Sequence, residues 1–477
     1  MTKAIQMNER VRPPELPSSR TAQVMADIRG RIGSGKLVPN DRLPSIRRLA
    51  VELSVSPSTV VEAYDRLSAE GLIRSRPGSG FFVTEAGRTP APLVRLEPPR
   101  AMEVDPFWVA RQALDADPGT SKPGCGWLPP DWMPTALLHA GMRNVLRQAT
   151  SLTTDYGPSR GSAGLRRFVE TRLRQQSIML SEDQVLLAGS ATQALDLVCR
   201  LLLRPGDRVI VDDPCYFNFQ TLLSAHQAIA IPVPYTENGP DIAAFDAAVA
   251  REAPRLYLTN SGLHNPTGAT LSPQIAFQLL GIVARADMLV VEDDIFSDFE
   301  PEPAITLATL DGLSRVIRIG SFSKTISASL RTGFIAADPE RIRLLTDLQV
   351  AIQFGGPSQV ATEAIQGVLS SGGYRKYLEQ LHRRLDTERR ATATRLGDLG
   401  IAPVLTPRGG PYLWCRMPDG VSSTALAQAA LPQGVVLAPG NVFSPSLSAD
   451  GFMRFNVAHM GDIRPFRVLE RALQAMG

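Results

Sequence analysis

The sequence predicts a multidomain chain: a small helical unit closed by a β-hairpin, then a larger α/β domain ending in a small α+β lobe. Three observations carry that reading. At 477 residues the chain exceeds what one typical core holds, so two or three domains are expected. Residues 16–83 pattern as three short helices and two β-like runs, whereas later residues alternate apolar β-rich runs with helix-length stretches. Between them, residues 84–106 carry Pro90, Pro92, Pro98, Pro99 and Pro106. No regular element tolerates that density, and a semi-extended linker does. The expected organisation is a flexible tail at 1–15, a small domain at 16–83, a linker at 84–106 and a large domain at 107–477.

Composition narrows the function classes. Hydrophobic residues make up 44% and charged residues 20%, as in a soluble globular protein. Net charge is +3, yet residues 16–83 alone hold ten Lys/Arg against six Asp/Glu. That asymmetry favours an anionic partner for the small domain, although a slightly basic enzyme domain would share it. Cys125, Cys199, Cys215 and Cys415 are scattered without a CxxC pair, and the five histidines are equally dispersed. Neither a zinc site nor a disulfide framework is expected. No run of about 18 apolar residues offers a membrane span, and the N-terminus lacks the apolar core of a signal peptide. A cytoplasmic protein without a membrane partner is expected.

The small domain reads element by element. "TAQVMADIRGRIGSG" spaces Val24, Ile28 and Ile32 four apart, which gives a helix one apolar stripe, and Gly33 and Gly35 end it. "LPSIRRLAVEL" starts a second helix behind the cap Ser45, and "SVSPSTVVEAYDRLSAEG" a third, capped by Ser56 with Pro57 in its first turn. "LIRSRPGSGFFV" then gives two short strands around a glycine-bearing turn. Two helices joined by a tight turn and followed by a hairpin make a winged helix-turn-helix, whose second helix enters a DNA major groove. Ser56, Ser58 and Thr59 are small donors suited to phosphates and bases. Arg42 and Arg47 suit phosphates, and the loop from Arg76 to Gly80 suits a minor groove.

The stretch "DRLPSIRRLAVELSVSPSTVVEAYDRLSAEGLIRSRPGSGFFV" closely resembles the GntR family of bacterial DNA-binding domains. The resemblance implies double-stranded DNA as partner and Arg47, Ser56, Ser58 and Gly80 as contacts. Many relatives carry arginine where this chain has Pro57, so one base contact is either missing or supplied by Arg42 or Arg47.

In the large domain, "QVLLAG", "RVIVDD", "RLYLTN", "MLVVEDD" and "RVIRIGSFS" lack strict alternation. This argues a mostly parallel sheet covered on both faces. A late β pair is expected near "PYLWCRMP" and "FMRFNVAH". Open sheets of this kind bind ligands at the carboxyl ends of their strands, and several chemistry-bearing residues follow strands here. "AGSATQALDL" sets Gly189, Ser190, Ala191 and Thr192 at a helix start, suited to an anion. "VDDPCYFNF" brings Tyr216, an aromatic ring able to stack, and "LHNPTG" brings Asn265, a donor. "VVEDDIFSDF" ends on Glu292, Asp293 and Asp294. "SFSKTISASLR" follows with Ser321, Ser323, Lys324 and Arg331.

A phosphate cradle, a stacking ring, an acid, a donor and a lysine are what pyridoxal 5'-phosphate (PLP) requires. Its aldehyde takes a lysine as a Schiff base, and a carboxylate keeps its ring nitrogen protonated. The ordered motifs "GSATQ", "DPCY", "HNPTG", "EDDIFSDF", "SFSK" and "LRTG" resemble the class I/II aminotransferases of PLP fold-type I. The resemblance implies Lys324 as the Schiff-base lysine, with Ser190, Ala191, Thr192, Ser321, Ser323 and Arg331 on the phosphate. It implies Tyr216 over the ring, Asn265 at its 3-hydroxyl and Asp293 at its nitrogen, with Asp294 the alternative if the register slips by one. Arg454 matches the clamp for an amino acid's α-carboxylate. Tyr156 matches a tyrosine reaching the phosphate from a neighbouring subunit, so a homodimer is implied. Where many relatives place a tyrosine, this chain has Phe296, which puts efficient transamination in doubt.

The two resemblances together identify the chain as similar to the MocR family of transcriptional regulators. The implied function is a PLP-dependent, DNA-binding regulator that senses PLP or its adduct with an amino acid or amine and is not primarily an enzyme. The alternatives are an active aminotransferase with an N-terminal regulatory domain and a PLP-binding adaptor whose winged helix contacts protein.

Overall fold

The computed structural model describes residues 19–76, 78–84, 107–147 and 151–476. The expected tail at 1–15, and all of the expected linker except Thr84, lie outside the described residues. The chain divides into two compact units, Met1–Ala101 and Met102–Gly477.

In the first unit, α1 (Arg20–Gly33) begins at Ser19, whose hydroxyl accepts from the Ala22 N–H. Ser45 caps α2 (Ile46–Glu52) in the same way, and Ser56 caps α3 (Pro57–Ala69). Each serine satisfies an N–H that the first helical turn leaves without a partner. β1 (Ile73–Arg76) and β2 (Gly80–Val83) pair antiparallel, from Ile73 opposite Val83 to Arg76 opposite Gly80. The core consists of one apolar face from each helix, with Val24, Ile28, Leu49, Val60, Tyr64 and Leu67 fully buried and the hairpin's Ile73 and Val83 against them. Burying one such side chain contributes roughly 1.5–3 kcal/mol, so this small core has little to spare.

The second unit is built on strands β3 (Val185–Ala188), β4 (Arg208–Asp213), β5 (Ile229–Thr236), β6 (Gly239–Pro240), β7 (Leu256–Thr259), β8 (Leu289–Asp293), β9 (Val316–Ser321) and β10 (Gly333–Ala336). They form one sheet in the order β3-β10-β9-β8-β7-β4-β5-β6. β5, β4, β7, β8 and β9 run parallel. β10 is antiparallel to both its neighbours, β3 and β9. The sheet is mostly parallel, as expected, and is mixed only through β10 and the short β6, which is antiparallel to β5. Successive side chains go to opposite faces: Leu187, Ile210, Tyr257 and Val290 to one core, Leu186, Val211, Leu258 and Val291 to the other. That is why these strands read as continuous apolar runs.

The C-terminal lobe has four short strands, β11 (Ala402–Pro403), β12 (Tyr412–Arg416), β13 (Ala438–Pro439) and β14 (Phe452–Asn456). They pair antiparallel in the order β11-β12-β14-β13. The expected late pair is β12 with β14, Leu413 opposite Phe455.

Two reversals of direction, at β10 and again at β3, leave β3 pointing the same way as β9. The carboxyl ends of β3, β4, β7, β8 and β9 therefore emerge along one edge of the sheet. That edge is where the predicted site residues gather.

Candidate functional site

Lys324 follows β9 and does not escape to solvent. Its ammonium lines a cavity of about 560 Å³ together with Tyr216, Asn265, Arg331 and Arg454. Nζ donates to the Gly126 carbonyl at 2.7 Å. Burial, and then the neighbouring Arg454 charge, push its pKa down to about 8. The next residue is pinned from below: Thr325 Oγ1 donates to Asp298 Oδ2 at 2.8 Å, and Asp298 also pairs with Arg172. This buried network fixes the backbone from which Lys324 projects.

Of the three acids that end β8, only Asp293 is turned to the cavity's chemistry. Glu292 accepts from the Leu307 and Ala308 N–H groups and so holds a helix start. Asp294 is ion-paired with the buried Arg318. Asp293 is 2% exposed. Its Oδ1 accepts from the Ile295 N–H at 3.3 Å, and its Oδ2 has no partner. Burial without full compensation pushes it up to about 7. The Lys324 charge opposes that rise, so the two groups sense each other.

Arg454 reaches the cavity from β14. Nη1 donates to Asn265 Oδ1 at 2.7 Å and Nη2 to the Gly124 carbonyl at 2.8 Å. Its guanidinium carbon lies 4.3 Å from the Tyr412 ring centre and 4.6 Å from that of Phe443, an arrangement that holds the cation by its faces. Nε has no partner. Because Asn265 spends its oxygen on Arg454, its amide nitrogen is left as a donor.

Ser190 starts the helix Ala191–Leu202, its hydroxyl accepting from the Gln193 N–H at 3.0 Å. Gly333 of β10 passes against this start so closely that a Cβ there would lie 2.7 Å from the Ala191 nitrogen. That contact brings the loop carrying Arg331 beside the helix N-terminus, with Thr192 in its first turn. Ser321 Oγ accepts from the Ser323 N–H at 3.1 Å, and the buried Ser323 Oγ has no partner. Arg331 has φ +44, a left-handed backbone that costs a non-glycine residue energy. Tyr216 precedes the helix Phe217–Ala225 and senses Asp293, Tyr412, Arg454 and Arg331. Tyr156 is not at this cavity: it is 79% exposed, its ring centre 5.1 Å from that of Phe354.

Three groups at the cavity escaped the sequence reading. Tyr412 opens β12, and its hydroxyl donates to the same Gly126 carbonyl at 3.2 Å. Gly126 sits so near that a Cβ would lie 3.7 Å from Lys324 Nζ. Lys122 lines the cavity as well. The sole local signal for Tyr412 was an aromatic residue directly after "GGP". Phe296 is buried, with its ring centre 5.4 Å from that of Tyr412 and 5.8 Å from Lys324 Nζ.

An orphaned carboxylate oxygen, an orphaned serine hydroxyl, a lysine of lowered pKa and a helix N-terminus beside an arginine share one edge. Together they suit a ligand with a protonated ring nitrogen, a dianionic group and a carbonyl carbon, which are the features of PLP.

The first unit presents its groups differently. Ser56 Oγ accepts from the Thr59 N–H at 3.2 Å and lies 2.8 Å from the hydroxyls of both Ser58 and Thr59. The cluster is exposed at the start of α3. Arg29, Arg31 and Arg66 are ion-paired, whereas among the described residues Arg42, Arg47 and Arg76 make no ion pair. Arg76 lies 4.6 Å over the Phe82 ring. The Arg42 backbone forms an isolated antiparallel bridge with Phe82 of β2. Gly80, at φ +102, leaves room for the Arg42 guanidinium, whose Nε would be 3.3 Å from a Cβ.

Residues 20–83 match the model of the bacterial regulatory proteins of the gntR family, and residues 128–471 that of aminotransferase class I and II. The uncharacterized HTH-type transcriptional regulator YdcR of Escherichia coli (strain K12) is 28% identical over 448 residues, 91% of this chain and 94% of that protein. The 2-aminoadipate transaminase of Thermus thermophilus is 28% identical over 373 residues, 75% of this chain and 92% of that protein. Among solved structures, LysN, an alpha-aminoadipate aminotransferase from Thermus thermophilus complexed with N-(5'-phosphopyridoxyl)-L-leucine, matches with a TM-score of 0.70. It is 27% identical, over 77% of this chain and 95% of that one. Among the described residues no helix is long and apolar enough to cross a membrane.

Proposed function

The chain belongs to the aminotransferase class I and II family, with a GntR-family unit ahead of that domain in the MocR arrangement, and we propose that it is a cytoplasmic, PLP-dependent, DNA-binding transcriptional regulator. The observation that carries this is that one chain holds both an exposed hydroxyl cluster at the start of α3, with Arg42, Arg47 and Arg76 in the same unit, and a cavity beside which the buried Asp293 Oδ2 and Ser323 Oγ lack partners. PLP, when bound, supplies an aldehyde carbon and an electron-withdrawing ring. Lys324 is the group that holds that carbon, its lowered pKa leaving a larger share of neutral amine near neutral pH than an ordinary lysine has. Asp293 accepts from the ring nitrogen, and Asn265 donates to the ring hydroxyl. Tyr216 covers the ring face. Ser190, Ala191, Thr192, Ser321, Ser323 and Arg331 hold the phosphate, and Tyr156 reaches it from the second subunit of a homodimer. Arg454 takes the carboxylate of an amino-acid effector.

On the DNA side, Arg42, Arg47, Ser56, Ser58, Thr59, Arg76 and Gly80 form the contact surface. An effector changes DNA affinity to the extent that it binds the two arrangements of the protein unequally. A second reading, a working aminotransferase, is favoured by the likeness to the Thermus thermophilus transaminase. Against it stands Phe296, whose ring offers no hydroxyl beside Lys324.

Gel shift on the DNA upstream of the chain's own reading frame, with and without PLP, tests the proposal. Binding that weakens steeply with salt and shifts with PLP is expected. Lys324→Ala should lose both the visible absorbance of the bound cofactor and the PLP-dependent shift, while keeping basal DNA binding. Steady transamination by a chain that ignores DNA would establish the second reading instead.

A further inference from the structure

The cavity's charge is one-sided. Four cations line it (Lys122, Lys324, Arg331 and Arg454), and among the described residues no carboxylate does. None of the four is ion-paired among the described residues. Asp293 is buried outside the lining, and its charge acts on Lys324. Such a field attracts a ligand carrying several negative charges.

On the reading proposed above, three of these cations are assigned: Lys324 to the cofactor's carbonyl carbon, Arg331 to its phosphate and Arg454 to an α-carboxylate. Lys122 is left over. Its ammonium acts on the Cys125 thiol and on the His459 ring, which places it at the wall formed by the 121–127 segment. That segment is held firmly. Gly124 N–H donates to the Val436 carbonyl, and Asn456 Nδ2 donates to the Cys125 and Trp127 carbonyls. Arg454 Nη2 donates to the Gly124 carbonyl, so the two cations share one rigid frame, with Lys122 two residues before Gly124. Val109, Ala113, Leu114 and Ile295 complete the cavity with apolar surface, suited to a short methylene chain and not to a second polar group.

We propose that the effector is an acidic α-amino acid, whose α-carboxylate meets Arg454 and whose side-chain carboxylate meets Lys122 across this apolar wall. The inference rests on the PLP reading and deepens it. Its discriminating element is Lys122, because a neutral amino acid would leave that charge without a counter-charge.

The test uses the full-length chain loaded with PLP. Visible absorbance is followed while titrating L-aspartate, L-glutamate and L-2-aminoadipate against L-asparagine, L-glutamine and L-norleucine. One charge-assisted contact is worth enough for about a tenfold preference, so at least one acid should half-saturate at about tenfold lower concentration than its neutral counterpart. Lys122→Gln and, separately, Lys122→Met should bring that ratio close to one. Equal half-saturation by acids and neutral isosteres, or a preference that survives both substitutions, overturns the inference and leaves the PLP reading standing. A chain that takes up no PLP, shown by the absence of any visible band, overturns both.

Discussion

The helix-turn-helix unit and the cofactor cavity solve opposite problems with polar side chains. At α3 the polar groups are exposed and mutually satisfied: Ser56 serves Thr59, Ser58 and its own helix start. In the cavity the polar groups are buried and incompletely satisfied, Asp293 Oδ2, Ser323 Oγ and Arg454 Nε among them. A surface that meets DNA can rely on water until its partner arrives. In a cavity for a small ligand, buried polar atoms that the protein leaves without partners are capacity that the ligand can meet. The folded cavity is therefore expected to cost stability that its ligand restores, and the DNA surface is not.

Asp293→Asn breaks that contrast most sharply. The folded-state pKa of Asp293 is raised to about 7, above the ordinary carboxylate value. Between roughly pH 4 and 7 the folded chain keeps a proton that the unfolded chain has released, so the contribution to stability is lost as pH rises through that window. Without PLP, the asparagine variant should match the parent near pH 4 and exceed it at pH 8, by about 2–4 kcal/mol at most. With PLP bound the order should reverse, since the variant has no carboxylate for the ring nitrogen. Thermal denaturation across pH, with and without PLP, reads both signs. A pH-independent difference would mean that Asp293 is already compensated in the empty cavity.

Arg47→Ala sharpens the other side of the comparison. Arg47 is exposed and without an ion pair, so its removal should leave stability within about 0.5 kcal/mol. DNA affinity should fall about tenfold, and the slope of log affinity against log salt should lose about one unit. PLP uptake should be unchanged. An unchanged salt slope would show that Arg47 does not face phosphate.

The two regions also differed in how far the sequence disclosed them. The small unit was legible because each of its decisions is local: Ser45 and Ser56 each start a helix by capping an N–H three residues on, and Gly80 marks the hairpin. In the large domain, residues placed just past a strand were legible for the same reason, which is why Ser190, Asn265, Asp293 and Lys324 could be named together. What escaped was set by distant pairing. The antiparallel direction of β10 is not written in "GFIA", which reads like the parallel strands of the same sheet. Lys122 and Gly126 sit at the cavity because β14 and the segment after β12 hold them there, through bonds such as Arg454 to Gly124 that span 330 positions. Tyr412 becomes part of the site only through that same closure. The choice among Glu292, Asp293 and Asp294 likewise needed the tertiary partners that occupy the other two.

Ser56 gives the smallest effect and the finest test, because the proposed DNA contact would use the same hydroxyl that caps the helix. As the cap of α3 it accepts from the Thr59 N–H, and removing such a cap costs about 1 kcal/mol. Ser56→Ala should therefore lower both stability and DNA affinity, which alone would not separate the two roles. Ser56→Asp does separate them. An aspartate caps as well as serine and is favoured by the positive end of the helix, so thermal stability should return to the parent value. On the proposed contact its charge would meet the DNA backbone, so affinity should fall further than in the alanine variant, and most at low salt, where phosphate repulsion is least screened. If affinity instead recovers together with stability, Ser56 acts only by holding α3 in place. The contacts would then belong to Ser58, Thr59 and the arginines around them.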